Sequence, residues 1–206
     1  MSLPSLAPIP PLLLPLVTRA EQSWRAAVAG LDSEWALEDW SAERWMAFNR
    51  VSAASDFFIE QALRDPLMLL ELAGFGELDR SFAPGELCGQ IGAAVQQAHT
   101  DDELGRVLRR QRTRQQVRII WRDLTRQADL IETCRDLSDM ADASIDQAYR
   151  WLYERHCQQF GTPIGQRSGE PQPMVILGMG KLGAVELNLS SDIDLIFAYP
   201  EGGETV

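Results

Sequence analysis

The sequence contains little lysine, cysteine or histidine, and each shortage narrows the possible functions. Lys181 is the only lysine, so every other permanently cationic side chain is an arginine. The three cysteines are widely spaced without a pattern, which is typical of reduced thiols in a cytosolic protein. The two histidines, His99 and His156, have no second pair of residues at metal-ligand spacing, which favours structural roles over zinc binding.

Long hydrophobic runs are also absent. No apolar stretch approaches the ~20 residues that span a bilayer, and residues 1–17 lack the basic segment and cleavage site of a signal peptide. We therefore expect a cytoplasmic protein that does not bind membranes. The net charge of −11 argues against nucleic acid as a partner.

Helical periodicity dominates the chain up to about residue 165. Asp65-Pro66 and the capping box Thr100 to Glu103 mark two helix starts, and the clustered tryptophans Trp24, Trp35, Trp40 and Trp45 favour packing between helices. Gly165 to Pro173 is polar and predicts a connector. The predicted helices cover residues 17–29, 41–63, 67–73, 84–95, 101–128 and 138–160.

The predicted helix at 101–128 is rich in arginine, and two interpretations remain open. The arginines could form a solvated face, some of them paired with acids on neighbouring helices. They could also bind phosphates or an acidic partner, because a guanidinium group holds such groups through two parallel hydrogen bonds. The residues are Arg106, Arg109, Arg110, Arg112, Arg114, Arg118, Arg122 and Arg126.

The segment from Met174 to Phe197 carries most of the candidate chemistry. An apolar strand leads into Gly178-Met-Gly180-Lys-Leu-Gly183, and two aspartates, Asp192 and Asp194, open a second strand. A dinucleotide-binding turn would require a full crossover helix and an acid at the far end of the next strand, and the spacing is too short. A kinase glycine-rich loop would join two strands and be followed by a strand lysine, whereas residues 186–188 look helical.

A nucleotidyltransferase site agrees better with this pattern. Residues two apart in a strand point to the same side, so Asp192 and Asp194 would have Cα atoms roughly 6.6 Å apart. Two such carboxylates can share Mg²⁺, and the helix N-terminus after the glycine turn favours a phosphate. A short exposed acidic turn would account for the aspartates alone, but it would leave the glycine turn unexplained.

Three stretches resemble the signature of the bifunctional glutamine synthetase adenylyltransferase/adenylyl-removing enzymes, in the DNA polymerase β-like nucleotidyltransferase superfamily. They are Leu177 to Gly183, Glu186-Leu-Asn188 and Ser190-Ser-Asp-Ile-Asp-Leu-Ile-Phe197. A looser similarity covers the upstream helices, including Leu137 to Asp142. The resemblance implies a mainly α fold: a helical domain over 1–165, and from 166 to 206 the strand–helix–strand start of an incomplete α/β nucleotidyltransferase domain.

By the same resemblance, the chain is similar to the half that removes AMP from adenylylated glutamine synthetase, using phosphate and releasing ADP. Asp192 and Asp194 would be catalytic and hold Mg²⁺. The nucleotide (ATP or ADP) and phosphate would contact Gly178, Gly180, Lys181, Ser190 and Ser191. A PII-type nitrogen signalling protein would be a regulatory partner.

The superfamily uses a third carboxylate on a later strand, and no such strand precedes Val206. We therefore expect a fragment that is inactive alone. The alternative hypothesis is a non-catalytic module that binds an acidic or phosphorylated partner through the helix from Arg106 to Arg126.

Overall fold

The computed structural model describes residues 8–31, 34, 37 and 40–206, and the chain divides into two compact units. The first unit contains Met1–Ala83 and Arg112–Thr133, and the second contains Pro84–Gln111 and Cys134–Val206. The described residues are mainly helical, as predicted. The separate expectation of a domain boundary at residue 165 stays a prediction. None of the described helices is long and apolar enough to cross a membrane.

The described residues of the first unit form a helical bundle with an aromatic core. Trp24, Phe48, Phe58 and Trp121 are fully buried, and the Trp24 and Phe48 ring centroids lie 5.1 Å apart. The predicted packing role is thus confirmed for Trp24, while Trp35 lies outside the described residues. The helices are α1 (Leu14–Val28, after a 3-10 turn at Pro11–Leu13), α2 (Ala42–Ala54), α3 (Asp56–Arg64), α4 (Pro66–Gly74) and the second half of α6 (Asp101–Leu124).

The single helix predicted over 41–63 is wrong, because the chain breaks at Ser55. This residue has an extended backbone (φ −146°, ψ 104°), and its side chain accepts a hydrogen bond from the Phe58 amide at 3.2 Å. Ser55 therefore ends α2 and caps α3, as serine does at helix starts. The apolar periodicity continues through the break and hides it.

The two helix starts with specific signals are confirmed. The Asp65 carboxylate accepts from the Met68 amide at 3.2 Å, with Pro66 at the first helical position. Thr100 accepts from the Glu103 amide at 3.2 Å, while Glu103 accepts from the amide of His99 at 2.8 Å. This bond to His99 is the main cause that lowers the pKa of Glu103.

The second unit combines helices with two small antiparallel strand pairs. Strand β1 (Pro163–Gly165) pairs with β4 (Gly203–Thr205), and β2 (Val175–Gly178) pairs with β3 (Leu195–Ala198). Helix α7 (Leu130–Phe160) begins eight residues before the predicted start at Ser138, because Asp129 caps it by accepting from the Glu132 amide at 2.8 Å. The other elements are α5 (Glu86–Val95), the first half of α6, α7 from Cys134 onward and α8 (Gly180–Gly183).

The stretch 165–173, predicted as a connector, has no helix and, apart from Gly165 in β1 and a single bridge at Pro171, no strand. It forms a turn organised by Glu201. The Glu201 carboxylate accepts from the backbone amides of Arg167 and Ser168, both at 2.9 Å, and its side chain is 9% exposed. Hydrogen bonds from Ser168 and Arg167 lower the pKa of Glu201 to about 2. Glu201 is therefore already occupied as a structural carboxylate.

Candidate functional site

The glycine turn, Gly178 to Gly183, leads from β2 into α8. Each of its three glycines is needed for a different physical reason. A methyl group at Gly178 would lie 2.9 Å from Cγ of Leu182, which is buried. Gly180 has φ +54°, a left-handed backbone conformation that residues other than glycine adopt only at an energetic cost. A methyl group at Gly183 would lie 2.5 Å from the Gly178 carbonyl oxygen. The pattern therefore encodes a tight backbone crossing.

Helix α8 is a single turn of four residues, shorter than predicted. Val185 has φ +58°, and Glu186 to Asn188 are not helical. A helix dipole is the sum of aligned peptide units, so one turn adds little to it. The predicted attraction of phosphate by a helix N-terminus is thus not supported, and any anion contact would depend on individual groups.

The two aspartates lie in the segment that enters β3. The Met179 amide donates to the Asp194 carbonyl oxygen at 2.9 Å, and Gly178 pairs with Leu195. This places Asp194 directly beside the glycine turn. The predicted strand begins only at Leu195, so the pleat argument for the orientation of Asp192 and Asp194 does not apply.

Both aspartate side chains are exposed. Within residues 8–31, 34, 37 and 40–206, neither carboxylate has a hydrogen bond or an ion pair. Two adjacent negative groups without a cation of their own are free to accept one from outside. In the same described part of the chain, no group of three potential metal ligands forms.

Lys181 and Ser191, both predicted phosphate ligands, are within reach of each other. The Lys181 Nζ lies 3.5 Å from the Ser191 Oγ, although ten residues separate them in the chain. Ser191 Oγ donates to Asn188 Oδ1 at 2.7 Å. Asn188 Oδ1 also accepts from the backbone amide and the hydroxyl of Ser190, each at 3.2 Å. The structure therefore brings the glycine turn and the serine pair together through Asn188.

Asn188 was not among the predicted contact residues. Its position two and three residues before the serines is the spacing at which asparagine bonds its own following backbone, and this signal was available in the sequence. The segment is also attached to α7: the Leu187 amide donates to the buried Ser138 Oγ at 3.4 Å. Ser138 lies inside α7, where sequence reasoning expected a helix start.

Within the described residues, the apolar side chains in and next to β3 are largely exposed. Ile193, Ile196 and Phe197 are 40%, 47% and 57% exposed. The buried side chains of this region are instead Leu182 and Leu187, at 3% and 5% exposure. These two leucines hold the glycine turn and the Asn188 segment in place.

The arginine helix is α6, and its second half lies in the first unit. Three guanidinium groups of this half point into the unit. Arg114 pairs with Glu71 and Glu77 at 3.3 and 3.1 Å, and Arg122 pairs with Glu132 at 2.6 Å. Arg118 is fully buried and donates to the carbonyl oxygens of two residues of the preceding loop. These groups are engaged within the unit, which contradicts the docking hypothesis at its central positions.

Comparison with known proteins places the chain in a class of transferases. The family model of glutamate–ammonia ligase adenylyltransferases matches residues 45–206. The chain belongs to this family.

Its relatives carry a more specific name. The chain is 73% identical over its full length to a bifunctional glutamine synthetase adenylyltransferase/adenylyl-removing enzyme of Pseudomonas syringae pv. tomato, and 66% identical to that of Pseudomonas aeruginosa. The enzyme of the same name from Thioalkalivibrio sulfidiphilus is 43% identical over 98% of the chain. The chain spans about a fifth of the length of these relatives (20–21%).

Proposed function

We propose that this chain provides the first part of a nucleotidyltransferase site that removes AMP from adenylylated glutamine synthetase. The observation that carries the proposal is the meeting of the glycine turn with the aspartate segment at one end of the β2–β3 pair. Lys181 and Ser191 lie within reach of each other there, and Met179 bonds to Asp194. The names of the relatives and the similarity of Gly178 to Gly183 to the adenylyl-removing half support this choice.

The donor set is suitable for Mg²⁺. Mg²⁺ prefers oxygen ligands and is usually held by one or two carboxylates together with waters and substrate phosphates. Asp192 and Asp194 are exposed and have no partner among the described residues, so both would be available. When bound, Mg²⁺ supplies positive charge that polarises a phosphoryl group and favours release of its leaving oxygen.

The chemistry would be attack by a phosphate oxygen on the phosphorus of the AMP–tyrosine diester. A new phosphorus–oxygen bond forms ADP, the bond to the tyrosine oxygen breaks, and the proton of hydrogen phosphate balances the proton gained by tyrosine. Lys181 would bind and orient the phosphate as a compact point charge. Ser190 and Ser191 would donate hydrogen bonds to phosphate oxygens, and Gly178 and Gly180 would let the backbone approach them. ATP or ADP and a PII-type regulator are further parts of the proposal.

The test uses a chimera in which this chain replaces the matching segment of the Pseudomonas syringae relative, an exchange favoured by 73% identity. We expect Asp192→Asn and Asp194→Asn to lower phosphate-dependent AMP removal by about 10²–10³-fold, as loss of transition-state charge stabilisation does. The melting temperature should change little, because neither carboxylate has a partner within the described residues.

Asp102→Asn is a matched control, since Asp102 is another exposed aspartate whose carboxylate has no partner among the described residues. It should leave the rate unchanged. Activity of Asp192→Asn within threefold of the unaltered chimera would contradict the proposal.

A further inference from the structure

In the loop between α8 and β3, the side chain of Asn188 accepts several hydrogen bonds. Asn188 Oδ1 accepts three hydrogen bonds, from the Ser190 amide, the Ser190 hydroxyl and the Ser191 hydroxyl, at 3.2, 3.2 and 2.7 Å. In addition, the backbone amide of Asn188 donates to Ser191 Oγ at 3.4 Å. Without this oxygen, both hydroxyls would lose the acceptor to which they donate.

The network also extends to the lysine. Ser191 Oγ is the atom that approaches Lys181 Nζ, at 3.5 Å, and the orientation of this hydroxyl is fixed by its bond to Asn188. A hydroxyl that donates to Asn188 turns a lone pair toward the ammonium group. Asn188 therefore influences where the only lysine of the sequence is held.

The backbone that carries Asn188 is fixed from the helical side of the second unit. Leu187 is buried, and its amide donates to Ser138 Oγ, which is itself fully buried and donates to the Cys134 carbonyl oxygen at 2.8 Å. The bond between Leu187 and Ser138 joins residues 49 apart in the chain. Asn188 thus stands between a rigid anchor and an exposed group of polar side chains.

We propose that Asn188 is a positioning residue for phosphate: it holds Ser190, Ser191 and, through Ser191, Lys181 in the geometry that binds the attacking phosphate. This inference depends on the function proposed above. Such preorganised hydrogen bonding supports a site by fixing the groups that touch the substrate. It predicts an effect on phosphate affinity that is separate from stability.

The experiment measures AMP removal by the chimera at varied phosphate concentration. We expect Asn188→Ala to raise KM for phosphate about tenfold, the size expected when one or two net hydrogen bonds are lost, with kcat changed much less. The rise in melting temperature caused by inorganic phosphate should shrink in parallel. Asn188→Asp keeps the accepting oxygen but adds a charge, so its KM relative to the unaltered chimera should recover at high ionic strength, which screens exposed charges.

Asn49→Ala is the matched control, because Asn49 is the other asparagine of the sequence and bonds Glu21 at 2.8 Å in the first unit. It should leave KM for phosphate unchanged. The positioning role is overturned if Asn188→Ala lowers the melting temperature without changing KM, or if Asn188→Asp stays as impaired as Asn188→Ala at high salt. Loss of activity in Asp192→Asn together with either result would leave the proposed function intact and reject only the role of Asn188.

Discussion

Three arginines of the first unit and two aspartates of the second differ in burial and in bonding partners. Arg114, Arg118 and Arg122 are half-buried or buried and bond to groups of their own unit. Asp192 and Asp194 are exposed, and their carboxylates have no partner in the part of the chain that the structure describes. Both regions are conspicuous in the sequence, but these three arginines are engaged within their unit, whereas both aspartates are available to a ligand.

The difference teaches which charges to interpret as functional. A buried charge is costly unless it is paired, so an inward arginine is committed to its partners and its removal damages the fold. An exposed carboxylate beside another carboxylate contributes little to stability and can bind a cation. Residue type and spacing do not distinguish these situations, whereas burial and partners do.

The largest effect expected from this comparison is at Arg118. We expect Arg118→Met to lower the free energy of unfolding by about 3 kcal/mol, because it leaves the carbonyl oxygens of Glu77 and Arg80 without their donors. The guanidinium carbon also lies 3.6 Å from the centre of the Phe82 ring, and this contact would be lost. Urea denaturation measures the change.

Arg112→Met is the control, since Arg112 lies on the same helix, is exposed, and has no partner among the described residues. It should change stability by less than about 0.5 kcal/mol. If both variants were equally stable, the inward contacts of Arg118 would not carry the role assigned to them.

A smaller effect is expected in the glycine turn, where the backbone rather than charge determines stability. Gly183→Ala would press a methyl group against the Gly178 carbonyl oxygen, which we expect to cost about 2 kcal/mol. Gly180→Ala meets no neighbouring atom but must adopt φ +54°, at a cost of about 1 kcal/mol. Thermal unfolding of the two variants measures these costs side by side. Gly180→Ala would be the less stable variant if backbone strain cost more than the close approach at Gly183.

The smallest effect concerns pH and Glu201. The pKa of this carboxyl is lowered from 4.5 to about 2 by hydrogen bonds from Ser168 and Arg167, so the ionised form is favoured in the folded state. Its contribution is therefore fully present above pH 4.5 and is lost as the pH falls towards 2. Glu201→Gln should flatten the fall in melting temperature between pH 5 and 2, while Glu204→Gln, at an exposed position in β4, should not.

Local signals predicted much of the helical fold. Asp65-Pro66 and Thr100 to Glu103 act over three residues, so their outcome depends little on the rest of the chain. The break at Ser55 was missed because one serine interrupts an apolar pattern that continues on both sides. The role of Glu201 in the turn at 165–173 was not predicted, because Glu201 lies more than thirty residues beyond the amides that it binds.

In the candidate site, too, features set by local spacing were predictable, whereas contacts between distant residues were not. The glycines and the aspartates were recognisable from their spacing, and the structure brings their segments together through the bond from Met179 to Asp194. The contact of Ser138 with Leu187 could not be predicted, because it depends on how α7 packs against a loop 49 residues away. The assignment of metal and phosphate ligands itself stays a prediction that the variants above test.

The nesting of the two strand pairs has a consequence for the order in which this region assembles. Strands β2 and β3 are enclosed, in sequence, by β1 and β4. Joining β1 to β4 first would require closing a long open loop, whereas prior pairing of β2 with β3 shortens the free chain between them and lowers the entropy cost of closure. We therefore expect the inner pair, which carries the glycine turn, to form before the outer pair, so that during refolding the amides of β2 and β3 become protected from exchange before those of β1 and β4.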